Sequence, residues 1–193
     1  MPERDNAAAV IVPVKAFDAA KSRLGTALDA AARAALARAM ADSVLAAAGT
    51  MPVTVACDDD GVAAWAIAAG ASVVWTHGMD LNASIAAGVA AVVDDGCDRV
   101  VVSHADLPFA TNLERVTWFG GATIVPDRRD DGTNVLCIPA SAAKEFTPAY
   151  GPASFPRHLA QLRDVGLDVR VARLADLRWD VDEPADVPVE GSR

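Results

Sequence analysis

The chain has 193 residues, a length that suits one domain with a sizeable core. Apolar residues make up 52% of the sequence, which argues against intrinsic disorder. The formal net charge of −9 argues against a general nucleic-acid or membrane-surface binder, because both need a basic face. It leaves room for an anionic small-molecule substrate, since a local cluster of lysine and arginine can reverse the field inside one cleft.

Cysteine content and the first residues indicate the cellular compartment. The three cysteines, Cys57, Cys97 and Cys137, lie far apart and form no CxxC pair, which predicts reduced thiols and neither a disulfide framework nor a zinc site. The start, MPERDNAAAVIVPV, carries acids where a secretory signal carries bases, and no segment has the length of a membrane span. We therefore expect a cytoplasmic protein. A monomer and a homodimer are equally compatible with the sequence.

Short β-branched runs alternate with alanine-rich stretches at helical spacing. The predicted strands cover residues 7–14, 51–59, 71–76, 98–108, 121–128, 134–140 and 167–175. The predicted helices cover residues 28–49, 61–70 and 81–96, and Gly49 is placed to end the first of them. This order predicts a single α/β domain over residues 1–193, with frayed ends before Ala7 and after about Pro184. Its central sheet is expected to be mostly parallel, with helices on both faces and ligands beyond the carboxyl ends of the strands.

The segment VPVKAFDAAKSRLG (12–25) follows the first predicted strand and carries Lys15, Lys21 and Arg23 within nine positions. A basic loop at the first β–α junction can neutralise a triphosphate. The segment has neither the GxxxxGK[ST] pattern of a Walker loop nor the GxGxxG pattern of a dinucleotide-binding fold. We favour phosphate binding over a solvated helix start, because three bases so close together are unusual in so acidic a chain.

The predicted strand VVVSHADLP (100–108) presents a carboxylate, Asp106, near its end. Pro108 cannot continue a hydrogen-bonded ladder, so we expect the strand to stop just past the acid. A carboxylate there could hold Mg²⁺, which prefers hard oxygen ligands. The alternative is that Asp106 caps the following turn, and spacing alone does not choose between the two. His104 is expected to be a packed strand residue, since no catalytic triad or HExxH motif is present.

Two later loops carry candidate anion-binding groups. In VPDRRDDGTNVL (125–136), Gly132 permits a positive φ and the Thr133 hydroxyl can bond a phosphate or carboxylate oxygen. A plain hairpin turn is the alternative, because Asp-Gly is a common hairpin signal. The segment YGPASFPRH (150–158) predicts an anion pocket or a helix start capped by Ser154, and both can hold at once.

A second acidic pair, Asp180 and Asp182, lies in WDVDEP (179–184). Residues two apart on a strand share a face, so both carboxylates can point into one cleft if the segment is extended. Carboxylates from two separate segments suit Mg²⁺ bound to nucleotide phosphates. The alternative is a solvated acidic tail.

Together these segments resemble the 2-phospho-L-lactate guanylyltransferase family, whose members act in biosynthesis of the deazaflavin coenzyme F-420. The resemblance rests on PVKAFDAAKSRL, LNASI, SHADLP, PDRRDDGTN, YGPASFPRH and DVDEPAD, in that order. Each motif is short, but the ordered set covers nearly the whole chain.

The resemblance implies a MobA-like nucleotidyltransferase fold of the glycosyltransferase-A, Rossmann-like type, and transfer of GMP from GTP with release of pyrophosphate. The acceptor would be a three-carbon phospho-acid: phosphoenolpyruvate, 2-phospho-L-lactate or 3-phosphoglycerate. The family's Mg²⁺ ligands would correspond to Asp106, Asp180 and Asp182. The catalytic residues would be Asp106, Lys15, Lys21 and Arg23, with the three basic residues on the GTP phosphates and Asn82 near the nucleoside. The acceptor would be held by Thr133, Gly151 and Ser154.

The sequence departs from the family pattern at two places. The loop DRRDDGTN stands where the family has DRxGTGTN, so Asp130 and Asp131 replace a Gly-Thr pair. The end carries DVDEP where DIDTP is usual, so Glu183 replaces a threonine. Extra acids beside an anionic acceptor would raise its cost of binding unless they face solvent or reach the metal.

Two rival hypotheses therefore stay open beside guanylyl transfer. One is another MobA-like transferase that uses CTP, or that passes a nucleotide to a sugar phosphate or molybdopterin. The other is a degenerate nucleotide-binding module without turnover.

Overall fold

A seven-stranded sheet forms the centre of the computed structural model, which describes residues 7–187. The strands, in chain order, are Ala8–Pro13 (β1), Val53–Cys57 (β2), Ser72–Trp75 (β3), Arg99–Ser103 (β4), Ala122–Pro126 (β5), Thr133–Pro139 (β6) and Val169–Val171 (β7). They lie in the spatial order β3-β2-β1-β4-β6-β5-β7. Only β6 runs antiparallel to its neighbours within this sheet, so the prediction of a mostly parallel α/β sheet is confirmed.

Helices connect these strands. The α-helices are Ala30–Ala47 (α1), Asp60–Ala68 (α2), Leu81–Asp94 (α3) and Ser154–Asp164 (α4), and short 3₁₀ helices cover Ser22–Thr26, Glu114–Val116, Ala140–Ala142 and Pro184–Asp186. The first three α-helices each follow an aspartate, namely Asp29, Asp59 and Asp80. Each aspartate accepts a hydrogen bond of 2.8 Å from the backbone N–H three residues later. These N-caps satisfy donors that the first helical turn leaves unpaired, and so fix where the helices begin.

The hydrophobic core lies on both faces of the sheet. Val10 and Val12 of β1 pack with buried residues of α1 and α2, whereas Ile11 packs with buried residues of α3 and α4. Successive strand residues point to opposite faces, so a run of apolar residues is what a strand covered on both sides requires. The prediction of helices on both faces is therefore confirmed.

Gly88 allows α3 to approach the sheet closely. A Cβ atom at this position would lie only 2.8 Å from Cγ2 of Ile11. Larger residues would push the helix away from β1, and the start of α3 forms part of the cleft described below.

Strand β4 is shorter than the sequence predicts, because it ends at Ser103 and not near Pro108. The last ladder bond runs from the N–H of His104 to the carbonyl of Asn134 at 2.9 Å. Beyond it, β6 offers no further partner because the chain turns away before Thr133. Asp106 consequently lies on the loop after β4.

The described residues include part of the predicted C-terminal tail. Asp186 is only 3% exposed and belongs to the 3₁₀ helix Pro184–Asp186, so regular structure continues past the approximate boundary, Pro184, that we predict for the frayed end. Residues 1–6 and 188–193, which complete the predicted frayed ends, lie outside the described residues. Among residues 7–187, no helix is long and apolar enough to cross a membrane.

Candidate active site

A cleft with a volume of about 390 Å³ opens beyond the carboxyl ends of β1 and β4. Parallel α/β sheets bind their ligands at this end, where the loops after the strands converge. Five of the residues singled out from the sequence line the cleft together: Lys15, Lys21, Arg23, Asp106 and Asp182.

Lys21 links the two acidic segments. Its Nζ lies 2.6 Å from Oδ2 of Asp106 and 3.2 Å from Oδ1 of Asp182. The side chains of Lys21 and Asp106 are 13% and 18% exposed, whereas that of Asp182 is 45% exposed. Since a largely buried charge is costly unless it is paired, the ammonium and the two carboxylates depend on one another.

This contact determines the charge states in the cleft. Burial by itself would raise the pKa of Asp106, but the charges of Lys21 and His104 outweigh it and the pKa is lowered. Burial would lower the pKa of Lys21, yet Asp106 and Asp182 together raise it. At neutral pH the cleft therefore holds an ionised carboxylate beside an ammonium.

A small apolar cluster brings Asp182 to this position. Leu24, Met40 and Val181 are buried and pack together, which joins the first loop and α1 to the C-terminal segment. The N–H of Val181 also donates to the carbonyl oxygen of Asp106 at 3.2 Å. Asp182 is thereby held beside Asp106 although the two come from distant parts of the chain.

Asp186 anchors the backbone on the other side of Asp182. Its Oδ2 accepts hydrogen bonds from the N–H groups of Asp182 at 3.2 Å and Glu183 at 2.8 Å. Its Oδ1 accepts from Arg128, whose guanidinium lies 3.8 Å from the ring centroid of Trp179. A buried carboxylate with both backbone donors and an arginine is a firm attachment, so Asp186 positions the acidic segment.

Asp180 lies deeper than Asp182. It is 9% exposed, and its Oδ1 lies 3.4 Å from Nδ2 of Asn134. Burial raises its pKa, and the charges of Asp106 and Asp182 raise it further. Residues 179–182 form no strand, and the two carboxylates differ in exposure. The two carboxylates approach Asp106 from different depths.

Lys15 and Arg23 differ from Lys21 in their surroundings. Both side chains are exposed on the cleft wall, and neither has an ion-pair partner within residues 7–187. Their charge is therefore directed to solvent and to any anion that enters the cleft.

Asn82 lies at the second position of α3, beside Leu81, which lines the cleft. Its Oδ1 accepts from the N–H of Tyr150 at 2.7 Å, and its Nδ2 donates to the carbonyl of Tyr150 at 3.3 Å. These two bonds fasten segment 150–158 to α3. A contact of Asn82 with the nucleoside stays a prediction, and it would have to share or break one of them.

Thr133, Ser154 and His158 form a buried polar cluster, in which each residue is at most 2% exposed. Ser154 Oγ accepts from the N–H of Thr133 at 2.9 Å. His158 Nε2 accepts from the N–H of Ala149 at 2.9 Å, so its Nδ1 carries the proton and donates to Thr133 Oγ1 at 3.0 Å. The hydroxyl groups of Thr133 and Ser154 are thus engaged inside the fold, and their contact with an acceptor stays a prediction.

His158 is neutral in this cluster. Burial lowers its pKa to about 4, and the positive charges of Arg157 and His104 add to the effect. Protonation would also remove the lone pair that accepts the hydrogen bond from Ala149.

Ser154 does not cap α4, contrary to the prediction from segment 150–158. The N-cap position is Ala153, which has a φ of 57° and no side-chain cap. The Ser154 hydroxyl is turned toward the N–H of Thr133 instead. Gly151 has a φ of 114°, which L side chains rarely adopt, so this position needs glycine for its backbone.

The loop between β5 and β6 contains Asp130 and Asp131, the two acids that depart from the family pattern, and the structure shows what each of them contacts. Asp130 has a φ of 56°, in the left-handed region that glycine favours and aspartate tolerates. Its carboxylate lies 2.7 Å from Arg178 and 2.8 Å from Arg173. Asp131 Oδ2 accepts from the N–H of Ala153 at 3.1 Å. Both acids are used by the fold and neither lines the cleft.

Gly132 serves this loop by close approach and not by a positive φ, which is found at Asp130 instead. A Cβ at Gly132 would lie 3.0 Å from Oδ2 of Asp127. The Asp127 carboxylate accepts from the N–H groups of Arg129, Asp131 and Gly132. Because β5 and β6 are antiparallel neighbours, this turn joins them as a hairpin, and anion binding by the turn stays a prediction.

The acidic residues suit a hard divalent cation in their chemistry. Oδ1 of Asp106 is buried and has no hydrogen-bond partner among the described residues. Carboxylate oxygens of Asp106, Asp180 and Asp182 are the kind of ligand that Mg²⁺ prefers. As they stand, no three His, Cys, Asp or Glu side chains of residues 7–187 are arranged to hold a metal ion, and Lys21 Nζ contacts two of the carboxylates. The donor atoms fit Mg²⁺ in kind, and their binding of the ion stays a prediction.

Sequence reasoning missed three residues of this region: Asn134, His158 and Asp186. Successive strand residues point to opposite faces, so two polar residues in a row, Thr133 and Asn134, predict a polar contact on each face of the sheet at β6. Asp186 completes a capping box with Glu183, and the spacing in DEPAD is a usable signal for it. His158 carries no comparable signal, because its hydrogen bond to Thr133 spans 25 positions of the chain.

Comparisons with known proteins identify the family of this chain. The family model described as guanylyl transferase CofC like matches residues 8–189. A phosphoenolpyruvate guanylyltransferase of Roseiflexus castenholzii is 38% identical over 180 residues, covering 92% of this chain and 84% of that relative. A phosphoenolpyruvate guanylyltransferase of Sphaerobacter thermophilus is 34% identical over 186 residues, covering 92% of this chain and 89% of that relative.

Solved structures show the same fold. A protein from Desulfovibrio desulfuricans G20, described as a nucleotide-diphospho-sugar transferase, superposes with a TM-score of 0.75 at 19% identity, covering 93% of this chain and 84% of that chain. The fold predicted from the family resemblance is thereby confirmed. With the family match spanning nearly all of its residues, the chain belongs to the CofC-like guanylyl transferase family and is a nucleotidyltransferase.

Proposed function

We propose that this protein transfers GMP from GTP to the phosphate of phosphoenolpyruvate, in the cytoplasmic biosynthesis of coenzyme F-420. 2-Phospho-L-lactate and 3-phosphoglycerate are the alternative acceptors of the same class. The proposal rests on the cleft in which the exposed bases of the first loop, Lys15 and Arg23, face Asp106 and Asp182. The names of the relatives support phosphoenolpyruvate as acceptor.

The reaction is an in-line displacement at phosphorus. An oxygen of the acceptor phosphate bonds to the α-phosphorus of GTP, the bond from that phosphorus to the α–β bridging oxygen breaks, and pyrophosphate leaves with the electron pair. A phosphate monoester has its second pKa at about 6 and is mostly a dianion at neutral pH, so the acceptor needs no general base. Catalysis then depends on positioning and on neutralisation of charge.

The residues of the cleft divide this work. Lys15 and Arg23 bind phosphate oxygens, and Lys21 joins them when it leaves its carboxylates. Mg²⁺ held by Asp106, Asp180 and Asp182 would neutralise charge on the α-phosphate. The cleft volume of about 390 Å³ lies within the usual range for small-ligand sites, about 300–1,000 Å³.

The contacts of the acidic loop weaken the hypothesis of a degenerate nucleotide-binding module without turnover. Asp130 is neutralised by two arginines, and Asp131 accepts a backbone hydrogen bond, so both acids of this loop have a structural use outside the cleft. The loop therefore gives no reason to expect a lost acceptor site.

The test is incubation with GTP, Mg²⁺ and each of the three acids separately, followed by mass spectrometry of the product and a pyrophosphate assay. We expect a guanylylated acid, formed fastest from phosphoenolpyruvate, and none with the Asp106→Asn variant. CTP and ATP in place of GTP are the controls for the base. Transfer from CTP alone would favour another MobA-like transferase, and nucleotide binding without pyrophosphate release from any mixture would favour the binding module.

A further inference from the structure

The position of the Lys21 side chain is not the one expected of a residue that binds GTP phosphates. A lysine that binds a triphosphate is expected to point into open space, as Lys15 does on the same cleft wall. Lys21 instead places its ammonium against Asp106 and Asp182 and is mostly buried there. It is the cation that joins the two acidic segments in the free protein.

The charge balance of the cleft shows why this arrangement must change when a nucleotide enters. Asp106 and Asp182 hold Lys21 by two of the three N–H donors that an ammonium has. A triphosphate brought to the same place would meet carboxylates that repel it. If Lys21 turned to the phosphates without replacement, the largely buried Asp106 would be left unpaired, which is costly.

The acidic groups can accept a cation of higher charge. Asp106 Oδ1 is buried without a hydrogen-bond partner among the described residues, with His104 Nδ1 at 3.9 Å, and its Oδ2 would become free when Lys21 leaves. Lys21 can leave because it lies at the end of an irregular stretch, directly before the 3₁₀ helix Ser22–Thr26. Its backbone is in the left-handed region, with a φ of 55°, a conformation that a non-glycine residue keeps only where its surroundings hold it.

We propose that Lys21 is an exchangeable placeholder, whose ammonium holds Asp106 and Asp182 together in the free protein and passes to the nucleotide phosphates when a divalent cation takes over the two carboxylates. The second half of this exchange rests on the proposed function. The first half concerns only the cation and this chain's own residues. Lys21 thereby couples the two ligands, because the cation must displace an ion pair when it binds alone and the displaced ammonium gains phosphate contacts when the nucleotide is present. Linkage makes the coupling reciprocal.

The first experiment measures Mn²⁺ affinity by calorimetry without nucleotide. The Lys21→Gln variant removes the competing charge and should bind Mn²⁺ at least about tenfold more tightly than the parent, the usual scale of a coupling between sites. Lys144→Gln is the matched control, because it removes the same charge from a residue that does not line the cleft, and it should leave the Mn²⁺ affinity unchanged. Equal affinity of the parent and Lys21→Gln would overturn the proposal.

A second measurement needs no variant at all, and so remains decisive if Lys21→Gln does not fold. The sequence has three lysines, Lys15, Lys21 and Lys144, so amine-reactive labelling can be assigned by peptide mass spectrometry. We expect Lys21 to label slowly in the free protein, faster with saturating Mg²⁺ alone, and slowly again with Mg²⁺ and a non-hydrolysable GTP analogue. Lys144 serves as the internal control. A Lys21 labelling rate that Mg²⁺ does not change would refute the exchange.

Neither measurement depends on turnover. Failure of guanylyl transfer with a positive labelling result would remove the proposed function and leave the Lys21 exchange. The converse result would remove the exchange alone.

Discussion

Two polar regions of this protein lie close together in the fold and differ in how their hydrogen bonds are used. In the cleft, Lys15 and Arg23 are exposed and have no ion-pair partner in the part of the chain that the structure describes, and the ion pairs of Lys21 join groups that all face the cleft. In the Thr133–Ser154–His158 cluster, by contrast, the polar groups are buried and bonded to one another or to backbone.

The difference separates groups that can bind a ligand from groups that stabilise the folded structure, which we call the frame. A buried group with satisfied hydrogen bonds loses them if it turns to a ligand, so it contributes mainly to stability. An exposed charged group that faces an open cleft can take a new partner at little cost, and a largely buried one can do so only when another charge replaces it. Substitutions in the cleft should therefore change turnover, whereas those in the cluster should change the free energy of unfolding.

Asp106→Asn should give the largest effect. The amide keeps the shape and one acceptor oxygen but removes the charge that faces Lys21 and the expected cation. We expect kcat/KM for guanylyl transfer to fall by about 1,000-fold or more, as for loss of a central electrostatic group. The circular dichroism spectrum should match the parent. Activity within about tenfold of the parent would place the metal elsewhere.

The pH dependence of stability should reveal the neutral His158. Its pKa is lowered to about 4 in the folded protein, so below the ordinary value near 6.5 the unfolded chain binds a proton that the folded chain refuses. Stability is therefore fully present above about pH 6.5 and is lost as the pH falls toward 4, by up to about 3 kcal/mol. Urea unfolding at pH 4, 5, 6 and 7 measures it.

Carboxylates also titrate at the lower end of this range, so a variant is needed to isolate the histidine. His158→Gln cannot be protonated but keeps a donor and an acceptor. It should be less stable than the parent at pH 7 and show a smaller loss between pH 6.5 and 4. Parallel curves for the two proteins would mean that His158 does not cause the pH dependence.

Thr133→Val should affect stability before it affects binding. The change leaves the Nδ1–H of His158 without its acceptor in a fully buried place, which should lower the free energy of unfolding by about 1–3 kcal/mol. Thr123→Val is the matched control, because Thr123 is also buried but its hydroxyl has no partner among the described residues. That variant should be neutral or slightly stabilising. A Thr133→Val protein of parental stability with a raised KM for the acid would instead support a direct contact with the acceptor.

Much of this organisation can be predicted from local sequence. The alternation of β-branched runs with alanine-rich stretches predicts the strands and helices, because periodicity and N-capping aspartates act within a few residues. The basic loop and Asp106 were predicted together because parallel strands bring their carboxyl ends to one edge.

Long-range placement could not be predicted in this way. That Lys21 would pair with Asp182 depends on the packing of Leu24 against Val181, two residues far apart in the chain. The end of β4 at Ser103 depends on where its partner β6 begins. In both cases the deciding contact lies outside any local window, so no spacing within one segment encodes it.

Asp130→Gly should have the smallest effect, and it tests whether the acidic loop belongs to the frame. Glycine relieves the left-handed backbone at this position but loses the contacts with Arg173 and Arg178 and gains freedom in the unfolded chain. These effects oppose one another, so we expect the melting temperature to change by less than about 2 °C. The KM for the phospho-acid should stay near that of the parent, because Asp130 does not line the cleft.

The paired substitution Asp130→Gly with Asp131→Thr makes the comparison sharper. A threonine hydroxyl can accept the hydrogen bond from Ala153 that Asp131 now accepts, so the frame is kept while two negative charges are removed. If the acids act only in the frame, acceptor affinity and its salt dependence are unchanged. If they repel the acceptor from outside the cleft, the variant binds it more tightly and the gain shrinks as salt is added, since exposed charges more than about 10 Å apart are largely screened at 0.1 M. A salt-sensitive gain in acceptor affinity would therefore mean that the loop acts on the acceptor and does not only stabilise the fold.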